Sequence, residues 1–294
     1  MRPALILIFG CVLAGGASTM LKLSGAEPVT GAFFRCLFAM VPLGVAWAVE
    51  RVRFGKLSRT EWAFGLLSGL FLALDYMLFN QAILDSGASI ATVLIGAQVV
   101  VYPFLIWLIH KAPVAQKFIL GVPVMLTGLA LTAGLGSSVT TGPHPLRGGV
   151  CGILAGVFFA GYLYCNRVAS LHDRRRIFTP VALGTFGATV TTAVVAPVVQ
   201  PLNFSLESRA WVLLLATALL GQFLAFVLIG RGSANVSADT AASLLFVQPM
   251  SAVILGMVVL AERPTIFQFA GILLTLATVG FLSLPTLPAS ARKT

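Results

Sequence analysis

The chain of 294 residues is strongly apolar, with 58% hydrophobic residues, 10% charged residues and a mean hydropathy of +0.99. A soluble fold cannot shield that much apolar surface from water, so the composition excludes a soluble enzyme and predicts a protein embedded in lipid. The net charge of +10 does not indicate a nucleic-acid-binding protein, because the basic residues are spread over separate loops rather than along one face.

Ten stretches are long and apolar enough to cross the hydrocarbon core of a bilayer, which takes about 20 residues of helix. A transmembrane barrel is excluded because its strands alternate apolar and polar residues, whereas the run from Trp211 to Leu220 is apolar on every face. The predicted fold class is therefore an all-α integral membrane protein with ten transmembrane helices and short connections. The predicted spans are residues 4–24, 29–49, 62–84, 89–109, 118–135, 148–166, 178–199, 210–230, 238–260 and 266–284.

Basic residues are concentrated in alternate loops between the predicted spans. Those on the first side are Arg2, Arg51, Arg53, Lys56, Arg59, Lys111, Lys117, Arg167, Arg174, Arg175, Arg176, Arg231, Arg292 and Lys293. The second side has only Lys22, Arg147, Arg209 and Arg263, and Arg35 lies within the second span. Because lysine and arginine accumulate in cytoplasmic loops, both termini are predicted to be cytoplasmic, with the chain in the inner (plasma) membrane.

The second half of the sequence weakly repeats the first. The triplet Leu13-Ala14-Gly15 in the first span returns as Leu154-Ala155-Gly156 in the sixth. The turn Lys111-Ala112-Pro113-Val114 corresponds in the same way to Glu262-Arg263-Pro264-Thr265. Apolar helices also share such short matches by chance, and that alternative stays open.

Each half of the chain, residues 1–140 and residues 141–294, carries five predicted spans. An odd number of spans makes the two halves insert into the bilayer in opposite senses, which is the inverted-repeat plan of many secondary transporters. The two halves are therefore predicted to form one membrane domain, with a substrate site between them near the middle of the bilayer.

Several segments resemble a known family. They are Arg35, the segment Ala82–Pro103 with its Asp85-Ser86-Gly87-Ala88 hairpin, the segment Ser233–Pro249, the turn Glu262-Arg263-Pro264-Thr265, and Gly271. On these residues the chain resembles the EamA-type ten-helix members of the drug/metabolite transporter superfamily, across nearly all of residues 4–285. The resemblance implies two five-helix repeats, metabolite movement that is commonly export, and a central cavity lined by the first, third, fourth, sixth, eighth and ninth helices. The first half has His110-Lys111 where the second has Glu262-Arg263, and the family has no universal substrate motif from which binding residues can be transferred.

Asp75 is the strongest chemical signal, because it is an acidic residue near the middle of the third span. An ionised carboxylate at that depth costs roughly 2.5 to 3.5 kcal/mol on insertion scales, so it is expected to face a cavity or to pair with a cation. Asp75 is then either a group that takes up and releases a proton or a cationic solute, or a structural carboxylate paired with Lys22 or Arg35.

Polar and aromatic residues recur four positions apart in several spans, which places the members of each pair on one helical face. Aromatic walls with a few amides and hydroxyls suit a small amphipathic solute. The alternative is that these side chains pack helices together or bridge them by hydrogen bonds. The candidate substrate-binding residues are Asp75, Tyr76, Asn80, Gln98, Tyr102, Tyr162, Gln222, Phe246 and Gln248.

A transporter is favoured over a multi-pass membrane enzyme or a channel. His110, His144 and His172 fall in three different loops, and the sequence has no catalytic motif, metal-ligand pattern or filter-like repeat, so no cofactor is predicted. The first span has Ser18, Thr19 and Lys22 where a cationic-drug transporter needs an acid, which favours a zwitterionic or anionic metabolite.

The predicted function is secondary active transport of a small amphipathic metabolite, such as an amino acid or a related zwitterion, by alternating access. Export is the favoured direction, and the proton is the candidate coupling ion. The predicted partners are the small-molecule solute and the lipid bilayer. Efflux of a cationic drug or of another metabolite is the alternative function.

Overall fold

The structure, a computed structural model, describes residues 3–111, 116–133, 142–171, 173, 175–233, 236, 244–245 and 247–283. Within these ranges the chain folds into ten apolar helices and contains no β-strand. The predicted all-α fold is confirmed. Seven of the helices are long and apolar enough to cross a membrane, and the remaining three are shorter within the described ranges.

The ten helices follow the ten hydrophobic stretches closely. They are α1 Pro3–Ser24, α2 Pro28–Phe54, α3 Arg59–Ser86, α4 Ala88–His110, α5 Gln116–Thr132, α6 Pro145–Ser170, α7 Phe178–Val199, α8 from Ser208–Ala216 through Thr217–Leu224 to Ala225–Ser233, α9 Val247–Val259, and α10 Ile266–Ser283. The bundle has two ends. The α1–α2 side is the end at which α1 ends and α2 begins, and the α2–α3 side is the end at which α2 ends and α3 begins.

The boundaries of α3 follow from local chemistry. Its N-terminus carries a capping box, in which the Ser58 hydroxyl accepts a hydrogen bond from the Glu61 N–H at 3.1 Å and the Glu61 carboxylate accepts one from the Ser58 N–H at 2.6 Å. Its C-terminus ends at Gly87, whose φ of +102° is strained for any residue with a Cβ. Because α4 begins at the next residue, the two helices are joined by a single glycine.

Two helices depart from regular α-helical geometry in their middle sections. In α4, Ile95–Ala97 form a turn of 3₁₀-helix, and in α8 residues Thr217–Leu224 form a π-helix. Irregular backbone at membrane depth is tolerated where it is buried in protein or lines a cavity, and π-helical segments occur frequently at functional sites. Both segments contribute residues to the central cavity described below.

Helices α2 and α7 cap each other's N-termini. Glu50, near the end of α2, accepts hydrogen bonds from the backbone N–H groups of residues 177–179 at 2.7, 2.9 and 2.8 Å. Gln200, at the end of α7, accepts one from the N–H of Val29 at 3.1 Å, at the start of α2. The two helices therefore run antiparallel, and the end of each one contacts the start of the other. The two residues that make these contacts, Glu50 and Gln200, are 150 positions apart in the sequence.

Helices α5 and α10 show the same exchange of contacts. A Cβ atom added at Gly121 would lie 2.9 Å from the Leu282 side chain, and one added at Gly271 would lie 2.5 Å from the backbone nitrogen of Thr132. Gly121 and Gly271 are 150 positions apart, and so are Thr132 and Leu282. The glycine of the first half, Gly121, thus contacts Leu282 of the second half, and the glycine of the second half, Gly271, contacts Thr132 of the first half. The same contact therefore occurs twice, with the two halves interchanged.

Helix α1 approaches α9 in the way that α6 approaches α4. A Cβ atom at Gly15 would lie 2.5 Å from the backbone oxygen of Gln248, and one at Gly156 would lie 3.1 Å from the backbone nitrogen of Gln98. Gln98 and Gln248 are again 150 positions apart. These close approaches bring α4 and α9 to the centre of the bundle, because glycine lets helix backbones approach closely.

Replacing Glu50 with alanine is expected to lower the free energy of unfolding by about 3 kcal/mol, because several buried donors lose their acceptor and each unsatisfied group costs about 1 kcal/mol or more. The apparent unfolding temperature of the detergent-solubilised protein measures the effect. Glu207→Ala is the matched control, since Glu207 is a glutamate directly before a helix, and its exposed side chain makes no capping hydrogen bond. Equal unfolding temperatures for the two variants would contradict the stabilising role of Glu50.

Candidate functional site

A cavity of about 90 Å³ lies in the centre of the helix bundle. Residues from α1, α2, α3, α4, α6, α8 and α9 line it, so both halves of the chain contribute to its wall. Its apolar surface includes the aromatic rings of Phe79, Phe159 and Phe226. Its polar lining residues are Ser18, Arg35, Asp75, Tyr76, Thr92, Gln98 and Gln248.

Asp75 is a buried acid in the wall of this cavity. Its exposed fraction is 0%, and neither carboxylate oxygen accepts a hydrogen bond from any residue that the structure describes. The positive charge that acts on it is that of Arg35, from the neighbouring helix α2. An ionised carboxylate in such a place is costly unless a cation, a proton or a hydrogen-bond donor satisfies it. The cavity therefore holds an acidic group with free capacity to bind.

Arg35 brings a buried positive charge to the same cavity. Its exposed fraction is 8%, its guanidinium carbon lies 4.2 Å from the centre of the Tyr76 ring, and its Nε has no hydrogen-bond partner within the described ranges. A guanidinium over an aromatic face is stabilised by a cation–π interaction, which leaves its N–H groups free for other acceptors. Arg35 and Asp75 thus place a guanidinium and a carboxyl group in one small cavity.

The Tyr76 hydroxyl donates a hydrogen bond to the side-chain oxygen of Gln222. Gln222 belongs to the π-helical segment of α8 and has an exposed fraction of 0%, and its amide nitrogen has no partner. This bond connects α3 of the first half to α8 of the second half. It is made by the same tyrosine whose ring lies under the Arg35 guanidinium. It orients the aromatic ring on which that guanidinium rests.

Residues 1–134 and 146–284 match the EamA-like transporter family. The chain belongs to this family. It is therefore a multi-pass membrane transporter, and the resemblance recognised in the sequence is confirmed.

Individual relatives agree with this assignment. The chain is 25% identical over 283 residues to an uncharacterized transporter of Archaeoglobus fulgidus, with 95% of this chain and 96% of the relative covered. It is 24% identical over 287 residues to the uncharacterized transporter YwfM of Bacillus subtilis, with 95% and 90% covered. A solved crystal structure of a protein matches 100% of both chains at 15% identity with a TM-score of 0.63, which indicates a shared fold alone.

In this EamA-like transporter, Glu262 follows α9 and lies on the α1–α2 side of the bundle, where α1 ends and α4 begins. Its carboxylate accepts hydrogen bonds from Lys22 Nζ at 2.8 Å and from the backbone N–H groups of Ala88 and Ser89 at 2.6 and 2.9 Å. Lys22, one of the two predicted partners of Asp75, is thus paired with Glu262 in the structure.

The pKa of Glu262 is set by opposing effects. Burial alone would raise it, but the hydrogen bonds from Lys22 and Ser89 and the charge of Lys22 outweigh burial, so the pKa lies below the ordinary 4.5. The carboxylate is therefore ionised at neutral pH. Its contribution to stability is complete above about pH 4.5 and is lost as the pH falls through the lowered value.

The structure brings four of the nine predicted substrate-binding residues to the central cavity: Asp75, Tyr76, Gln98 and Gln248. Gln222 lies behind this wall, through its bond to Tyr76. Phe246 lies outside the described residues.

The structure places the other three predicted residues away from the cavity lining. Asn80 donates a hydrogen bond to the backbone oxygen of Pro28 at 2.9 Å, one turn closer to the α1–α2 side. Tyr162 is buried and stacks on Phe159 with ring centres 5.4 Å apart. Tyr102 lines a second, largely apolar cavity of about 280 Å³, which Gln98 also borders.

Ser18 and Thr92 are cavity residues that the sequence did not mark as binding residues. Their hydroxyl oxygens lie 3.4 Å apart, on α1 and α4. Both hydroxyls also bond a carbonyl of the preceding helical turn, Ser18 to Gly15 and Thr92 to Ala88. Serine and threonine commonly satisfy themselves in this way within apolar helices, so a single hydroxyl in a span carries little signal.

Proposed function

We propose that this EamA-like transporter is a secondary transporter of a small zwitterionic metabolite, such as an amino acid. The observation that carries the proposal is that the carboxyl group of Asp75 and the guanidinium of Arg35 are both buried and line the central cavity together. A zwitterion supplies an ammonium group for the carboxylate and a carboxylate for the guanidinium. The charges of both solute and protein are then compensated in a place where water cannot screen them.

The apolar part of the cavity suits the side chain of such a solute. Phe79, Phe159 and Phe226 supply aromatic surface, and Gln98 and Gln248 supply amides from two pseudo-equivalent positions. Transport sites with apolar walls and a few fixed polar groups recognise a polar head while tolerating variation in the apolar body. A purely cationic solute is disfavoured, because Arg35 would repel it.

Alternating access is supported by the exchanged contacts between the halves. In α2 with α7, and in α5 with α10, each contact recurs with the roles of the two halves interchanged at an offset of 150 positions. Exchanged contacts of this kind are expected of two inverted five-helix repeats related by a pseudo-twofold axis. Such repeats let one half move against the other around a fixed central site.

The proposed orientation places both termini in the cytoplasm and the chain in the inner membrane. It is supported by the basic loops on the α2–α3 side, among them Arg51, Arg53 and Lys56. The α1–α2 side then faces outward, and export moves the solute from the α2–α3 side to the α1–α2 side. Asp75, with both oxygens unpaired, is the group proposed to exchange a proton as the solute moves.

Counterflow of radiolabelled amino acids and related metabolites in proteoliposomes tests the transport function. Gln98→Ala is expected to raise the half-saturating solute concentration by about fivefold, because one hydrogen bond in a desolvated site is lost. Tyr102→Ala is the matched control, since Tyr102 lies one turn away on the same helix and borders only the second cavity. Equal effects of the two variants would show that the cavity face is wrongly assigned, and the absence of counterflow for every zwitterion would contradict the proposal.

A further inference from the structure

The contacts of Glu262 join the two halves of the chain on the α1–α2 side of the bundle. Glu262 belongs to the loop after α9, in the second half, whereas its partners Lys22, Ala88 and Ser89 belong to α1 and α4 in the first half. Each bond has a charged partner, which makes it stronger than a neutral hydrogen bond. The free N–H groups and the dipole at the start of α4 add to the attraction for an anion.

Two glycines make room for this carboxylate. A Cβ atom at Gly87 would lie 2.8 Å from Glu262 Oε1, and one at Gly256 would lie 2.7 Å from Oε2. Gly87 belongs to the turn between α3 and α4, and Gly256 belongs to α9. The carboxylate therefore sits in a narrow slot with one wall from each half, and it is held in place by packing as well as by charge. Its side chain is 11% exposed.

The slot lies one helical turn from the solute cavity. Lys22 is four residues beyond Ser18 on α1, and Thr92 is four residues beyond Ala88 on α4, while Ser18 and Thr92 line the cavity. One turn of α-helix is about 5.4 Å long. Opening a path from the cavity to the α1–α2 side requires α1 and α4 to separate from α9, and the Glu262 contacts must break in that movement.

We infer that Glu262 is the gate residue of the α1–α2 side, an inference that rests on the proposed alternating access. By binding Lys22 and the N-terminus of α4, Glu262 holds the transport pathway shut on that side. A solute leaves on this side only when the carboxylate has left its slot. Glu262 thus sets how often the central cavity opens toward the α1–α2 side. It does this without touching the solute.

Cysteine labelling tests the gate. The four native cysteines are replaced with alanine and a reporter is introduced by Ser18→Cys, directly below the gate. A membrane-impermeant maleimide is then added to the α1–α2 side of oriented membrane vesicles. Glu262→Gln keeps the shape of the side chain but removes its charge. This variant is expected to raise the labelling rate of the cysteine about tenfold. The reason is that the loss of one charged hydrogen bond shifts the equilibrium between the closed and the open pathway by about that factor.

Two further variants separate gating from general loosening of the protein. Lys22→Gln removes one partner and leaves the backbone contacts of Glu262, so it is expected to raise the rate in the same direction but less. Glu50→Gln removes another buried carboxylate from a helix N-terminus, on the opposite side of the bundle, and is expected to leave the labelling rate unchanged. If Glu262→Gln does not yield folded protein, Lys22→Gln decides the question.

The gate is disproved if Glu262→Gln and Lys22→Gln both label at the parent rate, or if Glu50→Gln accelerates labelling equally. Counterflow on the same preparations distinguishes this outcome from a failure of the proposed function. Active counterflow with unchanged labelling removes the gate alone. Faster labelling in a protein that transports no zwitterion keeps the gate and removes the proposed solute class.

Discussion

Asp75→Asn is expected to abolish solute transport driven by a pH gradient in proteoliposomes. Asparagine has nearly the same shape but cannot exchange a proton, and it cannot compensate the charge of an ammonium group. Both Asp75 oxygens are buried and unpartnered, so no hydrogen bond that stabilises the fold is lost. The measurement is uptake or release of labelled solute with and without an imposed pH difference.

The stability of the same variant separates a coupling role from a structural one. A carboxylate buried without a hydrogen bond is costly to the fold, so the unfolding temperature of Asp75→Asn in detergent is expected to be equal to or above that of the parent. Asp75→Glu is expected to restore part of the gradient dependence. Unchanged gradient dependence in Asp75→Asn would remove this residue from the coupling role, and a large loss of stability would support a structural carboxylate instead.

The control for Asp75 lies on the same helix. Asp85 is held by a bidentate pair with Arg147, with both N–O distances 2.7 Å, at the α1–α2 end of α3. Its carboxylate is already satisfied and does not line the central cavity. Asp85→Asn is therefore expected to keep the dependence on the pH gradient, and its loss in this variant too would show that the assay responds to any missing acid in α3.

Arg35→Gln is expected to raise the half-saturating concentration of a zwitterionic solute at least about tenfold, because a charged hydrogen bond contributes about 1.5 to 3 kcal/mol. The variant also changes selectivity. A primary amine that carries the same apolar group but no carboxylate is expected to compete better in Arg35→Gln than in the parent, since the repelling charge is gone. Competition in the counterflow assay measures both effects.

Two variants make the Arg35 result specific. Arg35→Lys keeps the charge but loses the planar, bidentate geometry of the guanidinium, so an intermediate affinity is expected. Arg147→Gln removes a guanidinium whose side chain is 57% exposed and lies outside the cavity, and is expected to leave competition unchanged. If the amine and the zwitterion compete in the same ratio in Arg35→Gln and in the parent, Arg35 does not bind the solute carboxylate.

The helices themselves were predictable. The span predicted at residues 178–199 coincides with α7, Phe178–Val199, and the other described helix ends lie within about five residues of the predicted ones, apart from the start of α9, before which most of residues 238–246 lie outside the described ones. Each span depends on the sum of its own transfer free energies and on the length needed to cross the bilayer. These quantities need no knowledge of the rest of the chain.

The sequence predicts the helical face on which a side chain lies better than it predicts the position of that side chain along the helix axis, and hence whether it reaches the cavity. Asn80 and Tyr102 share helical faces with Tyr76 and Gln98, as residues four positions apart should. The lining of the central cavity, however, ends at Phe79 on α3 and at Gln98 on α4. One turn therefore moves Asn80 to the start of α2 and Tyr102 to the second cavity.

Hydropathy, loop charge and a buried acid in the third span together establish a multi-pass membrane protein with a polar centre, because each depends on one segment at a time. The pairing of charges is different. Glu262 binds the N–H of Ala88, 174 positions away, and its partner Lys22 is a cation that the sequence offers equally to Asp75. Which buried cation meets which acid depends on how distant helices rotate and pack, and that arrangement arises only when the whole bundle is assembled.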